Sequence, residues 1–467
     1  MPVQTQELQE RTEGKSLYSY QKGAIDKIFK CFEEAPDDYH LLYQLPTGGG
    51  KTVIFSEIVR QYLKTRKKQV LVMTHRIELC KQTSNMLSEF GVSNKVIDSK
   101  ADLSDQGDYN CFVAMVETLN NRLNDDKLDI SDIGLVIIDE AHYNSFTKLF
   151  KFFENSFILG VTATPLSSNI NLPMKDNYNE LIVGETIGSL IENEFLARAD
   201  IYSYNVGLTS LVVGANGDYT VKSSEDLYTN TDMLTKLLQS YEERCKGKKT
   251  LIFNNGINTS LHVYDTFRRA GYKIAHLDNN NSKKERKAIL KWFKETPDAI
   301  LTSVSILTTG FDEPTVDCIV LNRATKSLTL YYQMIGRGSR ILENKSKFTV
   351  VDLGNNLHRF GAWGADLDWH KIFRSPNYYL DGILSDEELE NNFKYEMPAD
   401  LREQFKNSEH VYFDIKKTYI NSIRAGESSK VVLERSIAQH AHICVENSED
   451  MWDALALAKL LGDDIDY

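Results

Sequence analysis

The chain has 467 residues, 42% hydrophobic and 26% charged, with a formal net charge of −12. That length exceeds one ordinary core and suits two or three globular domains, and no apolar run approaches the roughly 20 residues needed to cross a bilayer. The acidity does not exclude a nucleic-acid partner, because 19 acidic and 9 basic residues fall in 375–467, leaving the first 374 residues near neutral and able to hold basic patches.

Met1 to Lys15 is polar and carries no apolar signal region, so a cytoplasmic protein without a membrane partner is expected. Cys31, Cys80, Cys111, Cys245, Cys318 and Cys444 are widely spaced. They read as reduced structural thiols rather than a metal site or a disulfide framework.

Along the chain, Leu41 to Leu45 leads into a glycine loop, and Val53 to Lys64 has helical spacing. Apolar runs follow at Val70–Met73, Asn110–Met115, Leu135–Ile138 and Ile158–Val161. Fully apolar strands between helices indicate a parallel sheet covered on both faces. A polar stretch with a turn at Gly214–Asp218 comes next. A second alternating block contains Thr250–Phe253, Lys273–His276, Ala299–Thr302, Cys318–Leu321 and Phe348–Val351. Beyond Phe373 the alternation stops, and the acidic remainder reads as mainly helical, with helices expected over Ser385–Asn391 and Asp450–Leu461. The expected division is 1–198, a linker at 199–230, a second α/β domain at 231–373 and an accessory segment at 374–467.

Ligands of such sheets sit at the carboxyl ends of strands, and the chemistry-bearing strings lie there. In Pro46-Thr47-Gly48-Gly49-Gly50-Lys51-Thr52, glycines let backbone N–H groups close around phosphate oxygens at a helix N-terminus. Lys51 would reach the β- and γ-phosphates of a nucleotide, and the Thr52 hydroxyl would bind Mg²⁺. The strict pattern has glycine where this chain has Leu45. Asp139-Glu140-Ala141-His142 follows a four-residue apolar run. Asp139 would hold Mg²⁺, and Glu140 would orient and deprotonate the attacking water. Gln333 to Arg340 carries two arginines three residues apart, Arg337 and Arg340, suited to touching a γ-phosphate across a cleft.

Taken in order, these strings resemble a superfamily 2 helicase of the DEAH type, as in compact bacterial and phage DNA helicases and the motor subunits of repair and restriction enzymes. Leu17 to Gln21 resembles the adenine-reading motif, with Gln21 as the contact. Thr74 to Leu79, Val116 to Leu119, Thr162-Ala163-Thr164, Leu251 to Phe253 and Leu307 to Asp312 resemble the motifs between the glycine loop and the arginine string. The match spans about Leu17 to Arg359. It implies two tandem RecA-like domains with ATP and Mg²⁺ between them, and a catalytic set of Lys51, Asp139, Glu140, Gln333, Arg337 and Arg340. Gly310 and Asp312 would join the nucleotide contacts, and His142, Thr162 and Thr164 would couple the nucleotide to the polymer.

The family tracks a single strand across both domains through its phosphates. Matching contacts are Thr74, Arg76 and Thr118 in the first domain, and Asn254 and Thr308 in the second. The motif variants favour DNA over RNA. The expected function is therefore an ATP-driven helicase or translocase working as a monomer. Its rivals are an RNA helicase, a duplex translocase that separates no strands, and a nucleotide-gated scaffold. In the C-terminal segment, Gln439 to Cys444 reads as an ordinary helix or strand face, and the amphipathic end suits packing on the core or docking a protein partner.

Overall fold

The computed structural model describes residues 17–36, 38–97, 109–124, 130–169, 171–204, 206–215, 217–304, 307, 311, 313–391, 437–438 and 441–465. Seven parallel strands make the first sheet: β1 (His40–Gln44), β2 (Gln69–Thr74), β3 (Lys95–Ile97), β4 (Cys111–Met115), β5 (Ile133–Asp139), β6 (Phe157–Thr162) and β7 (Glu180–Val183). Their order is β3-β4-β2-β5-β6-β1-β7. Every residue of β5 and β6 is buried, as strands covered by helices on both faces require. The covering helices are α1 (Ser19–Glu34), α2 (Lys51–Thr65), α3 (Ile77–Glu89), α4 (Val116–Asn124) and α5 (Ile187–Glu192). Along α2 the apolar stripe Ile54, Phe55, Ile58, Val59 and Tyr62 faces the sheet.

The second sheet has six parallel strands: β8 (Arg198–Ser203), β9 (Thr250–Asn254), β10 (Ile274–Leu277), β11 (Ile300–Val304), β12 (Cys318–Asn322) and β13 (Lys347–Asp352), in the order β10-β11-β9-β12-β13-β8. Its helices are α6 (Val221–Tyr228), α7 (Thr231–Arg244), α8 (Ile257–Arg269), α9 (Lys283–Glu295), α10 (Leu328–Ile335) and α11 (Asn356–Phe360). Two RecA-like lobes are thus formed. β8 falls at the start of the expected linker, pairs with β13 and completes the second sheet. The turn at Gly214–Asp218 closes through Gly214 N–H to the Asp218 carbonyl at 2.8 Å.

Beyond the sheets come α12 (Trp369–Arg374), α13 (Pro376–Asp381), α14 (Asp386–Asn391) and α15 (Met451–Ile465). α12 to α14 form a strap that touches both lobes. α12 packs on β7, and Lys175 Nζ donates to the Arg374 carbonyl at 2.8 Å. On the second lobe, the Asp386 carboxylate accepts from Arg359 Nη2 at 2.6 Å and from the Tyr219 hydroxyl. One hydrophobic cluster runs through both lobes, from Leu42, Leu196 and Ala197 to Leu328, Ile335 and Trp369.

Two cysteines depart from the expected free thiols. Cys245 and Cys318, 73 residues apart, form a disulfide, because the fold sets the C-terminal cap of α7 against the first residue of β12. No helix among the described residues is long and apolar enough to cross a membrane. Gln439 and His440 lie outside the described residues; His442 pairs with Glu446 at 3.2 Å, and Cys444 is buried.

Candidate active site

Three adjacent strands carry the first lobe's chemistry. β5, β6 and β1 end at Asp139, Thr162 and Gln44, side by side and in parallel register. The glycine loop leaves β1 and enters α2 through Gly50, whose φ of 85° is a left-handed conformation that glycine adopts without strain. Gly48 likewise has φ 91°. A Cβ on Gly50 would lie 2.6 Å from Gln21 Nε2, and one on Gly48 would lie 2.8 Å from the Leu196 side chain. The bare backbone therefore lets the loop nest closely. Leu45, where the strict pattern has glycine, is fully buried, its side chain beneath Gly49. The departure fills the core.

Lys51 is buried, and its ammonium donates to the carbonyls of Leu45 at 3.1 Å and Pro46 at 3.4 Å. Burial lowers its pKa against the opposing pull of Glu140 and Asp139. Burial, and then the charge of Glu140, pushes the Asp139 carboxyl up to about 7. For Glu140, burial acts upward but is outweighed by Lys51, His142 and Arg337, so its carboxyl stays below the usual range. Glu140 has φ 55°, a strained value for a residue with a side chain, and its N–H donates to Asp139 Oδ1 at 3.0 Å. Its carboxylate Oε2 lies 3.4 Å from His142 Nδ1.

A hydroxyl chain leads from there to the second lobe. His142 Nδ1 meets Thr162 Oγ1 at 3.1 Å, and Thr162 Oγ1 donates to the Thr164 carbonyl at 2.9 Å. Thr164 Oγ1 then meets Thr329 Oγ1 at 2.7 Å. Thr329 lies in the first turn of α10, the helix that carries Gln333. Gln333 is buried, and its Nε2 has no hydrogen-bond partner among the described residues.

From the other side of the cleft, Arg340 Nη1 donates to the Gly48 carbonyl at 2.9 Å, and Arg337 Nη1 donates to the Phe311 carbonyl at 2.6 Å. The Ala197 N–H donates to the Ser339 carbonyl at 2.8 Å. A Cβ on Gly336 would strike Thr47 at 2.7 Å, so glycine there lets the arginine string press against the loop.

The structure thus gathers Gln21, the loop, Asp139, Glu140, His142, Thr162, Thr164, Gln333, Arg337 and Arg340 around one cleft. Thr308, Gly310 and Asp312 lie outside the described residues. Arg76 immediately precedes α3 and Thr118 lies in the first turn of α4, both partly exposed. Thr74 and Asn254 are fully buried. The Thr74 hydroxyl donates to the Arg76 carbonyl at 3.1 Å, and Asn254 bonds Thr302 at 2.9 Å and Asn322 at 2.8 Å.

Sequence reasoning missed several neighbours. Tyr20 donates its hydroxyl to the Gly49 carbonyl at 2.8 Å, and Phe195 lies 4.4 Å from the ring of Tyr18 and 5.2 Å from that of Tyr20. Thr329 was invisible as a hydroxyl partner, since only the fold brings it to Thr164. His75 and His142 flank Tyr143 at ring distances of 4.2 and 4.3 Å, and burial lowers the His75 pKa to about 4.

The family described as "Type III restriction enzyme, res subunit" matches residues 14–167, and "Helicase conserved C-terminal domain" matches 229–342. A 51.5 kDa protein of a Lactococcus phage is 29% identical over 337 residues, covering 71% of this chain and 69% of its own length. The putative ATP-dependent helicase IRC3 of Saccharomyces cerevisiae is 29% identical over 356 residues, covering 72% of this chain. The match spans 51%, about half, of that relative's length. A fragment of a putative HsdR subunit of a type I restriction enzyme from Vibrio vulnificus shares the fold, with a TM-score of 0.55, 22% identity, and coverage of 72% of this chain and 63% of that one. The chain has the domain architecture of a superfamily 2 ATP-hydrolysing helicase motor, resembling the motor subunits of restriction enzymes.

Proposed function

We propose that this chain is an ATP- and Mg²⁺-dependent motor that moves on nucleic acid, DNA by preference, and converts closure of its two lobes into strand separation or remodelling. The observation that carries the reading is the contact of Arg340 with the Gly48 carbonyl. It puts a second-lobe cation on the glycine loop that the buried Lys51 adjoins.

The residues present fit a nucleotide and its metal. The glycines at 48 and 50 make a cradle that any Cβ would fill, and Thr47 Oγ1 and Gln333 Nε2 are buried polar atoms with spare capacity. Asp139 and Thr52 are hard oxygen donors that would hold Mg²⁺. When bound, that ion neutralises charge on the β- and γ-phosphates. Lys51 turns from the loop carbonyls to the phosphates. Glu140, kept ionised by Lys51, accepts a proton from the attacking water. Arg337 and Arg340 stabilise charge on the transferred phosphoryl, and Gln333 positions the water or the γ-phosphate. Gln21 reads the base beside the rings of Tyr18, Tyr20 and Phe195. Gly310 and Asp312 complete the nucleotide contacts, and His142, Thr162 and Thr164 carry its state toward the polymer.

The polymer runs over the carboxyl ends of both sheets, past Arg76 and Thr118, with Thr74 and Asn254 shaping the strand ends beneath; Thr308 joins its contacts on the motif resemblance alone. The preference for DNA rests on the restriction-enzyme family match. Both halves of the site come from one chain, which supports action as a monomer. Exposed Met451, Trp452 and Leu455 on α15 suit a protein partner. The test is steady-state ATP hydrolysis with no polymer, single-stranded DNA, duplex DNA and RNA, at one fixed low salt concentration. Stronger stimulation by DNA than by RNA is expected. Stimulation by RNA alone overturns the polymer assignment, and no hydrolysis with any polymer overturns the motor reading.

A further inference from the structure

The loop that leads into α10 is gripped from a distant part of the chain. It spans Arg323 to Ser327, between β12 and α10. Three of its donors converge on one carboxylate, that of Asp218, in the segment between β8 and α6. Arg323 Nη2 donates to Asp218 Oδ2 at 3.3 Å, and Thr325 Oγ1 donates to the same oxygen at 2.7 Å. The Lys326 N–H donates to Oδ1 at 2.8 Å. The Tyr219 N–H also donates to Oδ1, at 2.9 Å, and fixes the side chain in its own turn. Hydrogen bonds to an ionised acceptor are the strong ones. Arg323 is buried; burial lowers its pKa, and the charge of Asp218 opposes that loss.

From Asp218 the bonds continue into the helix. The Ser327 N–H donates to Thr325 Oγ1 at 3.0 Å, and Ser327 Oγ accepts from the Leu330 N–H at 3.2 Å as the N-cap of α10. On the other side of the loop, Asn356 of α11 donates to the Arg323 carbonyl at 2.9 Å and accepts from the Thr325 N–H at 3.0 Å. The loop is thus clamped between two side chains. The sheet does not need this clamp, since β12 already pairs with β9 and β13. Buried Leu328, Tyr331, Tyr332, Met334 and Ile335 pack α10 in place, but apolar burial is non-directional. The bonds from Asp218 supply direction, and they end on the helix that carries Thr329 and Gln333 and runs on to Arg337 and Arg340.

We propose that Asp218 is a positioning residue for phosphoryl transfer: it fixes the loop before α10 and so sets Gln333, Arg337 and Arg340 against the glycine loop. This rests on the motor reading above. Asp218 itself touches no nucleotide; it acts through Thr325 and Ser327 on the groups that do. Without the carboxylate, Arg323 is a buried cation short of its acceptor, and the loop shifts to find another. A shift of about 1 Å at a catalytic group can cost about 100-fold in rate.

The test is single-turnover hydrolysis of labelled ATP by the full chain, over a range of enzyme concentrations, with the polymer that stimulates the wild type most. Asp218→Asn keeps the side-chain size and removes the charge. Its rate at saturation should fall about 10-fold or more. The half-saturating concentration should stay within about 2-fold, as for a group that acts only in the transition state. The decisive arm repeats Asp218→Asn in a chain that carries Arg337→Ala and Arg340→Ala. The further loss there should be only about 2- to 3-fold, because two of the groups that Asp218 places are gone. An equal loss in both backgrounds marks a general effect on the fold and overturns the proposal while the motor reading stands. An unchanged rate, with or without a lowered melting temperature, overturns it too. If Asp218→Asn does not fold, Thr325→Val carries the same cycle. It removes one link of the chain and should cost about 5-fold, the worth of one hydrogen bond; no loss overturns the proposal. A wild-type chain that hydrolyses ATP with no polymer at all and with none added overturns the motor reading and this proposal together.

Discussion

At residue scale the site depends on a few groups for which no substitute fits. Lys51→Ala removes the buried ammonium beside the loop, and polymer-stimulated ATP hydrolysis should fall by about 100-fold or more, read as phosphate release at saturating polymer. Gly50→Ala puts a methyl 2.6 Å from Gln21 Nε2 at φ 85°. The left-handed backbone alone costs roughly 1–2 kcal/mol for a residue with a Cβ. The variant should melt at a lower temperature and bind nucleotide more weakly by calorimetry. Much of this site was legible in the sequence, because glycine loops, acidic pairs and arginine strings keep short local spacing. Phe195 and Thr329 were not legible. Each comes from a distant segment, and neither a lone aromatic nor a lone hydroxyl carries a local signal.

Among elements, the route from Glu140 to α10 is the one to test. Thr164→Val and Thr329→Val each delete one end of a 2.7 Å contact across the cleft. Each should reduce polymer stimulation by roughly 5-fold, the worth of one hydrogen bond of about 1 kcal/mol. The double variant should be no worse than either single one, as a double-mutant cycle of kcat in the presence of polymer would show. The central strands were legible, since β5 and β6 are buried along their whole lengths and read as apolar runs. β8 was not. Its Arg198-Ala-Asp-Ile-Tyr-Ser sequence is that of a half-exposed edge strand, and only its pairing with β13 identifies it. β3, with three residues, is too short to show any period.

Across the whole molecule, the strap decides how the lobes stay related. Arg359, whose side chain is 1% exposed, relies on the Asp386 carboxylate from α14. Asp386→Asn should cost about 1–3 kcal/mol, because a buried cation loses its charged acceptor. Thermal unfolding should show the drop, while Tyr219→Phe, which removes one hydroxyl, should cost about 1 kcal/mol. No sequence pattern disclosed this cluster, which assembles from four separate stretches around Tyr219, Lys326, Arg359 and Asp386. The contact between Arg340 and the glycine loop has a kinetic consequence. If a nucleotide seats its phosphates on this loop, as proposed above, the guanidinium would first have to leave the Gly48 carbonyl, and entry would pass through a gate that opens at its own rate. In stopped-flow mixing with a fluorescent ATP analogue, the observed rate should therefore level off as nucleotide concentration rises. Arg340→Ala should lift that ceiling, turning a two-step capture into a simple collision.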